Sequence, residues 1–128
     1  MRSHNEVKLC EYVQWRNNRY IIIYIAIIER GDLMNNHFGR GLMAGLAAQN
    51  AGPASELSRF CCDYKRGFVL GYAHHLAESL GDENQAAFEA GLLCRAYSLN
   101  GEVMSEFFSG GANRLAEKFF CAGYNREQ

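Results

Sequence analysis

Apolar positions in the larger, C-terminal part of the chain recur at steps of three and four. Leu57, Phe60, Cys61, Tyr64, Phe68, Gly71 and His75 form one such series, and that spacing puts side chains on one face of an α-helix. With Ser55 as cap, it predicts a single long helix ending near Leu80. Residues 67–73 carry no charge on any side, so this helix should be central and widely covered. Ahead of it, Asn35 or Asn36 can cap a helix to about Gln49, broken by Asn50-Ala51-Gly52-Pro53, which holds the only proline. Gly81-Asp82 ends the long helix and caps the next, over 82–97, with Ala86, Ala90, Leu93 and Tyr97 on one face. A turn at Asn100-Gly101, a short helix over 102–108, a break at Gly110-Gly111 and a last helix over 113–124 complete the pattern. No alternating pattern follows Leu33, so the fold class is all-α, a compact bundle of four to five helices.

The first 33 residues do not share this pattern. All six isoleucines lie before residue 30, and all thirteen glycines except Gly31 lie after Leu33. The run 20–28 is far shorter than the roughly 20 apolar residues that span a membrane. A polar lead and Glu29-Arg30-Gly31-Asp32 exclude a signal peptide. As a strand it would have no partner, and an unpaired apolar strand invites aggregation. Its residue types have AT-rich codons, and Arg30-Gly31-Asp32-Leu33 can be encoded by DNA that contains a ribosome-binding sequence. The expectation is therefore that 1–33 is an irregular, extended or non-native extension, that Met34 is the natural start, and that 34–128 is one helical domain.

A weak repeat, aromatic-x-x-Gly, runs through the predicted helices: Phe38 to Gly41, Tyr64 to Gly67, Phe88 to Gly91 and Phe120 to Gly123. In the first two copies a second glycine follows four residues on, as Gly45 and Gly71. Glycines four apart share a helical face and let two backbones approach. Each costs a helix about 1 kcal/mol against alanine, so something must offset Gly41, Gly45, Gly67, Gly71 and Gly91: close helix crossings are the first expectation, a ligand or partner lying against the bare backbone the second. The stretches MNNHFGRGLMAGL, CDYKRGFVLGY, FEAGLL and FFCAGY resemble the YghW-like family of small enterobacterial proteins of unknown function, from Met34 to about Tyr124. That resemblance implies a small cytoplasmic protein whose members begin at the residue matching Met34, and it implies no activity. The aromatic-x-x-Gly rhythm also resembles, over a handful of residues, that of ribosome modulation factor, a small helical ribosome-binding protein.

Composition narrows the chemistry. A net charge of −1 disfavours avid polyanion binding. Five cysteines with no C-x-x-C pair suit a reducing cytoplasm better than a disulfide framework or a zinc site. Cys61 should be packed and Cys62 partly exposed. His74, His75 and Glu78 have metal-ligand spacing but lack a further ligand nearby, so one core and one surface histidine are expected. The stretch 89–108 has a helix-turn-helix cadence that buries Cys94, Leu99, Met104 and Phe107, yet its second helix carries Glu102 and Glu106 and no basic residue. An ordinary helical hairpin fits better. Arg40, Arg59, Lys65 and Arg66 are half of the eight basic residues after Met34, and with Tyr64 they form a candidate surface for a protein partner or RNA. No nucleophile–base pair, phosphate loop or paired carboxylate stands out. The sequence reads as a non-enzymatic interaction or regulatory protein without cofactor or membrane contact. An unknown protein is the first expected partner, RNA or the ribosome the second, and self-association a third.

Overall fold

The computed structural model describes residues 37–109 and 113–126. The readings of residues 1–33, of the Asn35 or Asn36 cap and of the Gly110-Gly111 break lie outside them. The described residues form six helices and no strand, four long and two short. These are α1 (His37–Ala47), α2 (Ala54–Leu57), α3 (Cys62–Leu80), α4 (Glu83–Ala96), α5 (Gly101–Ser105) and α6 (Leu115–Tyr124).

Most boundaries follow local chemistry. The α3 helix ends at Gly81, which takes the left-handed conformation (φ 65°) while its N–H donates to Ala77 O, the usual glycine stop. Asp82 then caps α4 by accepting from Gln85 N at 3.0 Å. Asn100 caps α5, accepting from Glu102 N and Val103 N at 2.9 and 3.1 Å. Asn113 accepts from Leu115 N at the start of α6. The one long helix expected from Ser55 is instead two. Cys61 is extended (ψ 167°) and separates α2 from α3. The interruption preserves the three-and-four phase of Leu57, Phe60 and Tyr64, so periodicity alone does not reveal it.

The glycines organise the helices into two parallel pairs. A Cβ on Gly41 would strike Tyr64 O and lie 2.9 Å from Phe68 N; one on Gly45, a turn further, would strike Phe68 O and lie 2.6 Å from Tyr72 N. Both contacts advance in the same direction, so α1 and α3 run parallel. The relation is reciprocal, because Gly67 faces Phe38 O and Gly71 faces Leu42 O. The second pair repeats it: Gly91 of α4 faces Phe120 O, and Gly123 of α6 faces Phe88 O. There Asn113 Nδ2 reaches Asn84 Oδ1 at 2.9 Å near the helix starts, and Tyr124 Oη donates to Leu99 O at 2.9 Å near the ends, so this pair is parallel too. In both pairs the carbonyl met by the motif's own glycine, at Gly41, Gly67, Gly91 and Gly123, belongs to the aromatic residue of the partner's motif, and Gly45 and Gly71 meet carbonyls one turn further on. A glycine Cα–H aimed at a carbonyl makes a weak hydrogen bond of about 0.5–1 kcal/mol, and the repeat is the signature of this crossing.

Packing of α3 on α4 joins the pairs. The shared core holds Phe38, Leu42, Phe68, Val69, Ala73, Ala86, Ala90, Cys94, Met104, Phe108 and Phe120, among others, and none of its buried residues is polar or charged. Cys94, Leu99, Met104 and Phe107 are all buried, as the hairpin reading requires. Tyr97 closes the seam by donating from Oη to Ala51 O at 3.0 Å and Gly52 O at 3.2 Å.

Candidate functional site

The break between α2 and α3 builds a surface feature. Leu57 is buried, and Phe60 N–H donates back to Leu57 O at 3.0 Å. This turn sets the Phe60 ring against Tyr64, one helical turn on, with centroids 4.2 Å apart and planes at 16°. The Arg59 guanidinium carbon lies over Phe60, 5.1 Å from its centroid. Arg59 is exposed, whereas Phe60 and Tyr64 are half-buried and rest against the core. Cation, ring and ring thus form a column on a rigid base.

The other basic residues divide. Lys65 follows the column directly and is half-buried, and Arg40 is exposed on α1. Because Gly41 faces Tyr64, the parallel register places Arg40 level with the start of α3. Arg66 is committed elsewhere: its Nη1 donates to Asp63 Oδ1 at 2.8 Å, and it lies near enough to Cys94 for its charge to act on that thiol. Arg59 and Tyr64 are therefore joined through Phe60, Lys65 is the next residue of the helix after Tyr64, Arg40 lies at their level and Arg66 is tied into an ion pair. Phe60 was missed as a site residue, although an aromatic four positions before Tyr64 was a visible signal for a stacked pair.

All five glycines expected at crossings are found there, and Gly123 joins them. His74 and His75 are both half-buried, so neither is the expected core histidine and neither the expected surface one; Glu78 is exposed. Among the described residues no three His, Cys, Asp or Glu side chains gather as a metal-holding group. Cys61 and Cys62 are both exposed, a correction to the expectation that Cys61 is packed. Its place as the extended residue ahead of α3 turns it away from the face that Phe60 and Tyr64 bury. Burial pushes the Cys94 thiol up, Arg66 opposing, and burial followed by the Glu117 charge raises that of Cys121. Neither is an activated nucleophile.

A cleft of about 480 Å³ lies between α5 and α6, floored by Phe120 and Tyr124 and rimmed by Asn100, Glu102 and Ser105. Two of its polar groups are already used: Asn100 caps α5 and the Tyr124 hydroxyl bonds Leu99 O. It is remote in sequence from the basic residues and brings none of them together. On the outer side of α6, Leu115 and Phe119 are 49 % and 38 % exposed and four residues apart. No helix among the described residues is long and apolar enough to cross a membrane.

A family model described as "Protein of unknown function (DUF2623)" matches residues 34–126, and the chain belongs to that family. No solved structure matches the chain.

Proposed function

We propose that this chain is a YghW-like bacterial member of its family, working in the cytoplasm as a non-catalytic interaction or regulatory protein. Its first partner class is another protein. The observation that carries this reading is the exposed pair Leu115 and Phe119, which share one face of α6 at a spacing of four. Neighbouring exposed apolar side chains are the material of protein contacts. Four free thiols among the described residues, two of them exposed, support a reducing compartment. The test is affinity capture from the native cell with wild type and with the Leu115→Ser/Phe119→Ser double variant. A partner retained by wild type and lost by the variant is the expected result. Equal capture by both proteins removes this face from consideration.

A second reading, association with RNA or the ribosome, is favoured by the Arg59–Phe60–Tyr64 column with Lys65 beside it and Arg40 at its level. Co-sedimentation with ribosomes across a salt series tests it. Contacts to phosphates weaken steeply as salt rises, and Arg40→Gln/Arg59→Gln/Lys65→Gln should abolish a binding that the α6 variant keeps.

A further inference from the structure

We propose that the Arg59–Phe60–Tyr64 column is a stacking platform for the unpaired bases of single-stranded RNA. The proposal rests on the second reading above and gives it a mode of contact. It is carried by a comparison of the two helix pairs. Tyr64 and Phe120 occupy the same position in the repeated motif, and each has an aromatic ring stacked on it. In the second pair that ring is Phe108, 4.9 Å from Phe120, and both are about 1 % exposed; half-buried Tyr124 also stacks on Phe120, at 6.2 Å, with the Arg95 guanidinium 5.3 Å over its ring. In the first pair the ring is Phe60, half-buried, from the segment that interrupts the helix. A surface guanidinium, not more core, covers it. A guanidinium over a ring is common to both pairs, since Arg126 also lies 5.9 Å over Phe88, and the surroundings set them apart. Tyr124 lines a cleft that Glu102 also lines, and its hydroxyl is held by Leu99 O, whereas the Phe60–Tyr64 stack has Arg40 at its level and Lys65 next in the helix.

The chemistry of the column selects the ligand. A guanidinium is planar and weakly hydrated, and it stacks on π-faces. Nucleic-acid bases present such faces only when unpaired, and single strands are bound by stacking on aromatic and guanidinium planes. Phe60 and Tyr64 are held by the core and the crossing, so the platform is formed before the ligand arrives and little ordering opposes binding. Lys65 and Arg40 can neutralise flanking phosphates. Asp63 at the same end is occupied by Arg66, which limits its repulsion of the strand. An acidic protein would need the same cations but not the ring faces.

The test measures fluorescence anisotropy of a short fluorescein-labelled oligouridine, free and annealed to its complement, at low salt. The single strand should bind more tightly than the duplex. Arg59→Lys keeps the charge and removes the plane, and Phe60→Leu keeps an apolar contact and removes the ring. Each should weaken binding about tenfold, the loss of one base stack, and Arg59→Lys should leave the salt slope unchanged. Thermal midpoints check the folding of Phe60→Leu, while Arg59→Lys alters only an exposed side chain. Binding by Arg59→Lys as tight as wild type overturns the stacking proposal. If Arg40→Gln/Lys65→Gln still weakens and flattens the salt dependence, the basic-surface reading survives without it. A duplex bound as tightly as the single strand, or a polyglutamate peptide competing as well as RNA, also overturns it. Wild type that binds no RNA at low salt sinks both.

Discussion

Tyr97 shows how one side chain ties distant parts of this chain together. Its ring is buried and its hydroxyl bonds the carbonyls of Ala51 and Gly52, in the connection between α1 and α2. Burial, then the neighbouring Tyr72, Cys94 and Glu56, pushes its phenol from 10.0 up to about 12. The folded state therefore favours the neutral phenol. Its contribution is whole below pH 10.0 and is lost as pH rises toward about 12. Thermal midpoints should be insensitive to Tyr97 ionisation below that window and fall within it. Tyr97→Phe should cost about 1 kcal/mol at neutral pH through the lost hydrogen bonds and make the alkaline fall shallower. An alkaline limb identical in both proteins would assign it to other groups, the buried Cys94 thiol among them.

Between helices, backbone meets backbone without side chains. Gly71→Ala gains about 1 kcal/mol of helix propensity, but its new Cβ strikes Leu42 O and lies 2.9 Å from Leu46 N. Overpacking of this kind costs about 1–3 kcal/mol, so denaturant midpoints should fall. Gly67→Leu and Gly71→Leu should fall further. Unchanged or raised stability in all three would mean that the helices do not cross closely here. The glycine spacing made these crossings legible in the sequence, because four-residue steps on a helix fix a face. The pairing was legible only in part: the second glycine, Gly45 in α1 and Gly71 in α3, sets these two helices apart from α4 and α6, while the parallel register of each pair comes from the tertiary path. The α2–α3 break was hidden because it keeps phase. The basic residues could be read as a group, but the ion pair that removes Arg66 depends on Asp63, three positions earlier, whose rotamer no pattern specifies.

For the molecule as a whole, the composition shift at Leu33 and the family match beginning at 34 carry the same expectation. The chain 34–128 should melt at the temperature of the full chain, as read by circular dichroism. A large drop would show that the leading segment contributes to the fold. Replacing Arg40, Lys65 and Arg66 together by glutamine should also leave stability nearly intact, since exposed ion pairs are each worth roughly 0–1 kcal/mol. Of the three, half-buried Arg66 with its 2.8 Å partner should account for most of any loss.

The parallel crossings also bear on how fast the chain folds and unfolds. A glycine such as Gly41 or Gly91 meets its carbonyl only after a long connection has closed, to Tyr64 in one pair and Phe120 in the other. Closing such loops costs entropy before any contact forms, whereas α3 and α4 are adjacent in sequence and dock across Gly81-Asp82. The α3–α4 hairpin should form in the rate-limiting transition state and the glycine crossings after it. Gly71→Ala and Gly91→Ala should therefore steepen loss of structure by raising the unfolding rate, with the folding arm of the chevron almost unmoved. Equal shifts of both arms would place the crossings in the nucleus. In kinetic terms the glycines then act as latches: they set how long the native state lasts more than how quickly it is reached.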